Sequence, residues 1–310
     1  METRGTPPSI ISAAVLDHAA APPSPDLAID HLTESAERQA STARSETTSR
    51  VGFGQLADDT PDVMTLHTQD AYRMFTGRPA DAAKRAPAIP GGRRFAAVLK
   101  SIWHLSANDN PYADWILIRI YQALVGIRTQ MEYVIAAREA EFEQLRHRGL
   151  NLSVLGSRSP LAVALGFRSP YGYATAELIV RFDYHVRMVK TLVLKDRIGD
   201  DDGRAAIREI GRGLRGLFLE PIRWERNLLR EEMLPLSRRD YLPGAEDAAR
   251  QRVRAAIALF GEVPREVFSG QQVPRHSQRR TALTPAELRL LQQVALNVDE
   301  GPELPAGQLL

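Results

Sequence analysis

Asn110-Pro111 opens a stretch that runs to Arg148 with no further proline and with Gly126 as its one glycine. An Asn cap followed by proline in the first turn is a helix start, and Gly149 is a stop. Trp115, Ile118, Tyr121, Val125, Phe142 and Leu145 recur at helical spacing and give this stretch one apolar stripe. At 1.5 Å per residue such a helix is about 55 Å long, longer than an ordinary domain is wide, so bending is expected. A chain that commits this much length to one rod folds as a mainly α protein.

The remaining pattern agrees. Val63-Met64-Thr65-Leu66-His67 alternates and suits a short strand. Thr68 then caps a helix over 69–76, which Gly77 ends, and a loop with Pro79, Pro87 and Pro90 leads through Gly91-Gly92 into a helix over 93–106. Residues 150–156 and 161–167 alternate around Gly156-Ser157-Arg158-Ser159-Pro160, which predicts a β-hairpin over 150–167. Further helices are expected over 172–197, 203–219 and 245–260, with Gly199 and Gly261 as stops. A last one starts at Thr284-Pro285-Ala286-Glu287, a capping box. The linker 269–283, with Arg275, Arg279 and Arg280, reads as mobile. Four regions follow: a disordered acidic segment 1–60, in which 26–39 suits a short helix; a strand–helix–helix unit 61–108; a helical domain 109–270 carrying the hairpin; and a flexible tail 271–310 with one short helix.

Charge separates these regions further. The 310 residues carry 40 Lys+Arg against 38 Asp+Glu, a net of +2. Residues 1–60 hold four arginines against nine acids, a net of −5, so the rest holds +7. Within 73–104, Arg73, Arg78, Lys84, Arg85, Arg93, Arg94 and Lys100 face one acid, Asp81, a net of +6. The chain has no cysteine, which excludes disulfides, thiolate metal centres and thiol catalysis. The sequence has no apolar run of the roughly 20 residues that a membrane span needs, and the N-terminus does not read as a secretory signal. A cytoplasmic protein with no membrane contact is expected.

Apparent catalytic motifs do not survive their context. Gly211-Arg212-Gly213-Leu214-Arg215-Gly216 matches a dinucleotide fingerprint, but it falls inside an expected helix where a strand and turn are required. Asp200, Asp202, Gly203 and Glu209 match part of a calcium loop whose first ligand position holds Ile198, so the acids read as part of a helix–helix turn in which Asp202 is the cap. The seven histidines lack metal-binding spacing. The expectation is no catalytic residue, no cofactor, no metal and no small-molecule substrate.

The strand–helix–helix unit coincides with the basic cluster. A lone short strand is not stable, and pairing with its copy in a homodimer would give a ribbon narrow enough for the major groove of double-stranded DNA. Met64 and Leu66 would bury on the helices, while Val63, Thr65 and His67 would face bases. Gly92, Arg93 and Arg94 at the second helix's N-terminus would meet phosphate, with Arg73 and Arg78 flanking. The arrangement resembles a ribbon-helix-helix DNA-binding unit, and a helical bundle extension is expected to follow it.

Four segments also resemble one family: TLHTQDAYRMFTGR (65–78), NPYADWILIRIYQAL (110–124), SPLAVALGFRSPYGYATAELIVRFDYHVR (159–187) and GEVPREVFSG (261–270). In this order they are similar to the AcaB-like regulators of integrating conjugative elements and conjugative plasmids, over roughly residues 61–272. The resemblance implies a helical, dimeric, DNA-binding regulator of conjugative transfer genes. The alternative is an accessory protein of the element's machinery that does not bind DNA, with the long helix as its docking surface. The chain departs from an ordinary ribbon-helix-helix unit in its long, Pro-rich linker 77–92 and in a strand without Arg, Asn or Gln.

Overall fold

The computed structural model describes residues 60–83, 85–277, 279–280 and 283–297, with only the backbone of 293–297. The chain divides between Asp59 and Thr60, and every described residue belongs to the second unit. The expectations for 1–59, the short helix over 26–39 included, lie outside the described residues, as does Lys84 of the basic cluster.

The elements are β1 (Val63–Leu66), α1 (Gln69–Thr76), α2 (Gly92–Ala107), α3 (Pro111–His147), β2 (Leu161–Ala164), α4 (Pro170–Leu194) and α5 (Asp200–Leu228). They continue with a 3-10 turn (Arg238–Tyr241), α6 (Asp247–Phe260), α7 (Arg265–Phe268) and α8 (Pro285–Asn297). The fold is mainly helical with one two-stranded antiparallel sheet. Among the described residues no helix is long and apolar enough to cross a membrane.

Local chemistry sets the helix ends. The Thr68 side chain accepts from the Ala71 N–H, and the Asn110 side chain accepts from Tyr112 and Ala113. Gly77 and Gly261 close α1 and α6 with φ of +75° and +81°. Thr284 and Glu287 form the reciprocal pair of a capping box. The core lies between α2, α3, α4 and α5, where Phe95, Leu99, Ile102, Tyr112, Ile116, Ile120, Ile179, Phe182, Leu214 and Phe218 are fully or almost fully buried. Each such side chain contributes about 1.5–3 kcal/mol by leaving water.

Several expectations are corrected. The predicted hairpin over 150–167 does not form. Only 161–164 is a strand, and it pairs with β1, placing Val63 opposite Ala164 and Leu66 opposite Leu161. Residues 150–157 are held by side chains instead: Leu155 N–H donates to Thr191 Oγ1 (2.9 Å) and Ser157 N–H to His67 Nδ1 (3.1 Å). So β1 finds its partner within the chain, and the argument that it must pair with a second copy no longer applies. The stripe expected on α3 is only half-buried; its first half is buried on most sides, because α2, α4 and α5 all pack on it. Gly199 starts α5 instead of stopping α4, and Asp202 sits inside the first turn, not at the cap. The expected helix end near 219 is passed, since α5 runs through Pro221 to Leu228. Pro221 leaves the Leu217 carbonyl without its helical donor.

Gly211–Gly216 lie within α5, so no phosphate loop exists there. Gly211 packs against Met74 and Phe182, while a Cβ at Gly216 would meet open space. No cluster of three metal-ligating side chains occurs among the described residues.

The region expected as a flexible tail makes specific contacts through Arg279 and Arg280, at a buried cluster centred on Arg238 of the helical domain. Arg238, 1% exposed, donates to Asp109 Oδ1 (2.6 Å), Asp114 Oδ2 (2.8 Å) and the carbonyls of Val267 and Phe268 (both 2.8 Å). Arg279 donates to the same Asp114 Oδ2 at 2.8 Å, and Arg280 N–H to the Ala107 carbonyl at 2.9 Å. Burial pushes the Asp109 carboxyl above its ordinary range, and the Arg238 guanidinium opposes that.

Candidate nucleic-acid interface

The β1–α1 corner is fixed from α4. Asp183 is buried, and its Oδ1 accepts from the backbone N–H groups of His67 (3.1 Å) and Thr68 (2.8 Å) and from the Thr68 hydroxyl (2.8 Å). The strand therefore leaves the sheet at a set angle, and α1 starts at once.

Alternation in β1 places Met64 and Leu66 inward and Val63 and Thr65 outward. The paired register puts Ala162 and Ala164 beside them on that outer face. This face carries one hydroxyl and no side chain able to make a bidentate base contact. His67 is not on it. It turns toward Ser157 and borders an open cleft of about 310 Å³ with Thr68, Asp70, Arg73, Gly156, Arg187 and Lys190. Two of the cleft's cations are engaged: Lys190 Nζ pairs with Asp70 at 2.6 Å, and Arg187 Nε donates to the Leu155 carbonyl at 2.7 Å.

The expected phosphate ligands divide into two groups. Gly92 is buried, and a Cβ on it would press on Thr175 and Ile179 of α4, so it is a packing position against α4. Arg94 is committed to the buried Glu225 at 2.5 Å. Burial raises the Glu225 carboxyl above its ordinary range, and Arg94 opposes this, which is the role its charge serves here. In contrast Arg73, Arg78 and Arg93 are exposed, as is Arg85, and none of them pairs with a carboxylate among the described residues. Arg93 lies over the Phe75 ring, 5.5 Å from its centroid, at the α1–α2 junction.

The linker 77–92 is a folded arm. Arg78 exchanges backbone bonds with Ile89, and Asp81 with Ala86, so the chain goes out and returns beside itself. At its base Gly77 and Gly91 touch so closely that a Cβ on either would overlap the backbone of the other side. Arg78 and Arg85 stand on this arm.

A family model described as "Transcriptional regulator AcaB" matches residues 52–280. The chain belongs to the AcaB family. That match spans β1 through the Arg279 contact and so includes the whole described core. Among solved structures, the crystal structure of selenomethionine-containing AcaB from uropathogenic E. coli is similar to this AcaB-family chain at 14% identity, with a TM-score of 0.41. The similarity covers 68% of this chain and 95% of that one. No curated protein matches.

Charge counting along 73–104 passes over a second group of cations on α5. Arg204, Arg208, Arg212 and Arg215 are spaced four, four and three apart and all are exposed. Their signal was in the spacing, but the glycines among them and the acids before them make the net charge of the stretch unremarkable.

Proposed function

We propose that this AcaB-family member is a DNA-binding transcriptional regulator of an integrating conjugative element, controlling conjugative transfer genes from the cytoplasm as a homodimer, without catalysis or cofactor. The observation that carries the reading is the set of exposed arginines on the strand–helix–helix unit that pair with no carboxylate among the described residues: Arg73, Arg78, Arg85 and Arg93. Unneutralised guanidinium groups at this density suit a polyanion, and their forked donors suit phosphate. Its origin in a conjugative element rests on the family resemblance.

Fluorescence anisotropy with a duplex from upstream of the element's transfer genes tests it. Wild type should bind, with affinity falling steeply as salt rises. Arg73→Ala/Arg93→Ala should weaken binding to every sequence and flatten the log–log salt slope by about 1.8, at 0.9 per lost phosphate contact. Absence of binding at low salt overturns the reading. Light scattering at the same concentrations tests the homodimer.

One observation favours the second reading, an accessory protein that binds no DNA. The outer face of the sheet, Val63, Thr65, Ala162 and Ala164, is small and nearly apolar, suited to packing and poor at base readout. The same titration separates the two.

A further inference from the structure

We propose that the arginine face of α5 is a second contact for the sugar–phosphate backbone of duplex DNA, continuing the surface of the strand–helix–helix unit; this rests on the DNA-binding reading above. Arg204, Arg208, Arg212 and Arg215 fall within a sector of about 80° at 3.6 residues per turn, and Arg208 to Arg215 spans about 10 Å of helix axis. Arg208, Arg212 and Arg215 line one shallow cleft of about 320 Å³ with Ala205.

Most of these arginines make no ion pair within the described part of the fold. Arg204 pairs with Asp201 at 2.8 Å. Arg208, Arg212 and Arg215 form no ion pair among the described residues, although Glu209 stands three residues before Arg212. The acids later in α5 are used elsewhere: Glu220 pairs with Arg119 at 2.6 Å, and Glu225 with Arg94. Like charges four apart on a helix cost about 0.2–0.5 kcal/mol per pair. Among the described residues no ion pair of Arg208, Arg212 or Arg215 offsets that cost, and a polyanion would remove it.

Position joins this face to the first surface. A Cβ at Gly211 would lie 3.5 Å from the Met74 methyl and 3.9 Å from Arg215 Nη1, so Arg215 flanks the seam between α5 and α1. On α1, Met74 faces α5, Phe75 underlies Arg93, and Arg73 is exposed. Arg73 and Arg93 thus flank α1 on its two sides, Arg215 stands where α1 meets α5, and Arg212 and Arg208 continue from it along α5. A track of guanidinium groups fits the repeating phosphates of a duplex strand better than it fits an isolated anion.

The test compares wild type, Arg208→Ala/Arg212→Ala/Arg215→Ala and the matching triple lysine variant in anisotropy titrations between 50 and 200 mM salt. A thermal melt checks folding. Three lost contacts flatten the log–log slope by about 2.7, so the affinity ratio of wild type to the alanine variant should shrink about 40-fold across that range. The lysine variant should keep the slope, and sequence preference should not change. Wild-type affinity and slope in the alanine variant overturn the inference and leave the DNA-binding reading standing, as does equal loss in the lysine variant. Failure of wild type to bind the duplex at all removes both.

Discussion

Replacing Arg238 by Met probes the buried ionic cluster that ties the C-terminal segment to the start of α3. Arg238 is 1% exposed and compensates Asp109 and Asp114 while donating to two carbonyls. Met fills similar volume without the charge. Arg279 stays beside Asp114, so Asp109 is the carboxylate that loses its direct partner. Removing one partner of a buried pair costs about 3–5 kcal/mol, which for a body of this size lowers Tm by roughly 6–20 °C. The cost should depend on pH in a definite direction. Burial already raises the Asp109 carboxyl above its ordinary value and Arg238 opposes that, so the substitution raises it further. A carboxylate whose folded value is raised binds more protons folded than unfolded. Its penalty is therefore full at neutral pH and is relieved as pH falls through the raised folded value. Urea unfolding followed by circular dichroism at pH 7.5 and pH 5 measures this. The variant's deficit should be smaller at pH 5. A deficit below about 1 kcal/mol, or one equal at both pH values, would refute the reasoning from an Asp109 that has lost its partner.

Other substitutions give simpler outcomes. Asp183→Ala removes one acceptor for three donors at the β1–α1 corner and should cost about 2–4 kcal/mol by urea unfolding, with faster amide exchange at His67 and Thr68. Thr68→Ala deletes the α1 cap and should cost about 1 kcal/mol in the same assay. Gly77→Ala places a Cβ against the Ile89 carbonyl at φ +75° and should cost more than about 2 kcal/mol, read as a lower Tm.

What the sequence discloses follows the range of the interactions. Thr68, Asn110, Gly77, Gly261 and the Thr284–Glu287 box are readable because each bond closes within a few residues. The partner of β1 is not, because β2 lies across α1, α2 and α3, and 161–164 alternates just as well when it pairs with 150–156. The Arg238 cluster joins residues 124 and 129 positions apart, and no periodicity marks it. In the candidate interface, the outward position of Val63 and Thr65 and the exposure of Arg73, Arg78 and Arg93 follow from alternation and charge. The burial of Gly92 and the commitment of Arg94 to Glu225 depend on α4 and α5, which approach from far along the chain.

The contact between Gly77 and Gly91 has a consequence for how this chain tolerates change. Because α1 ends and α2 begins at the same point in space, the thirteen residues between Gly77 and Gly91 do not set the distance or angle of the two helices. The arm is an appendix to a closed junction. Residues can be added or removed near 82–85 without altering the helix pair, so a reporter inserted there would ride on the protein while its core stayed in register.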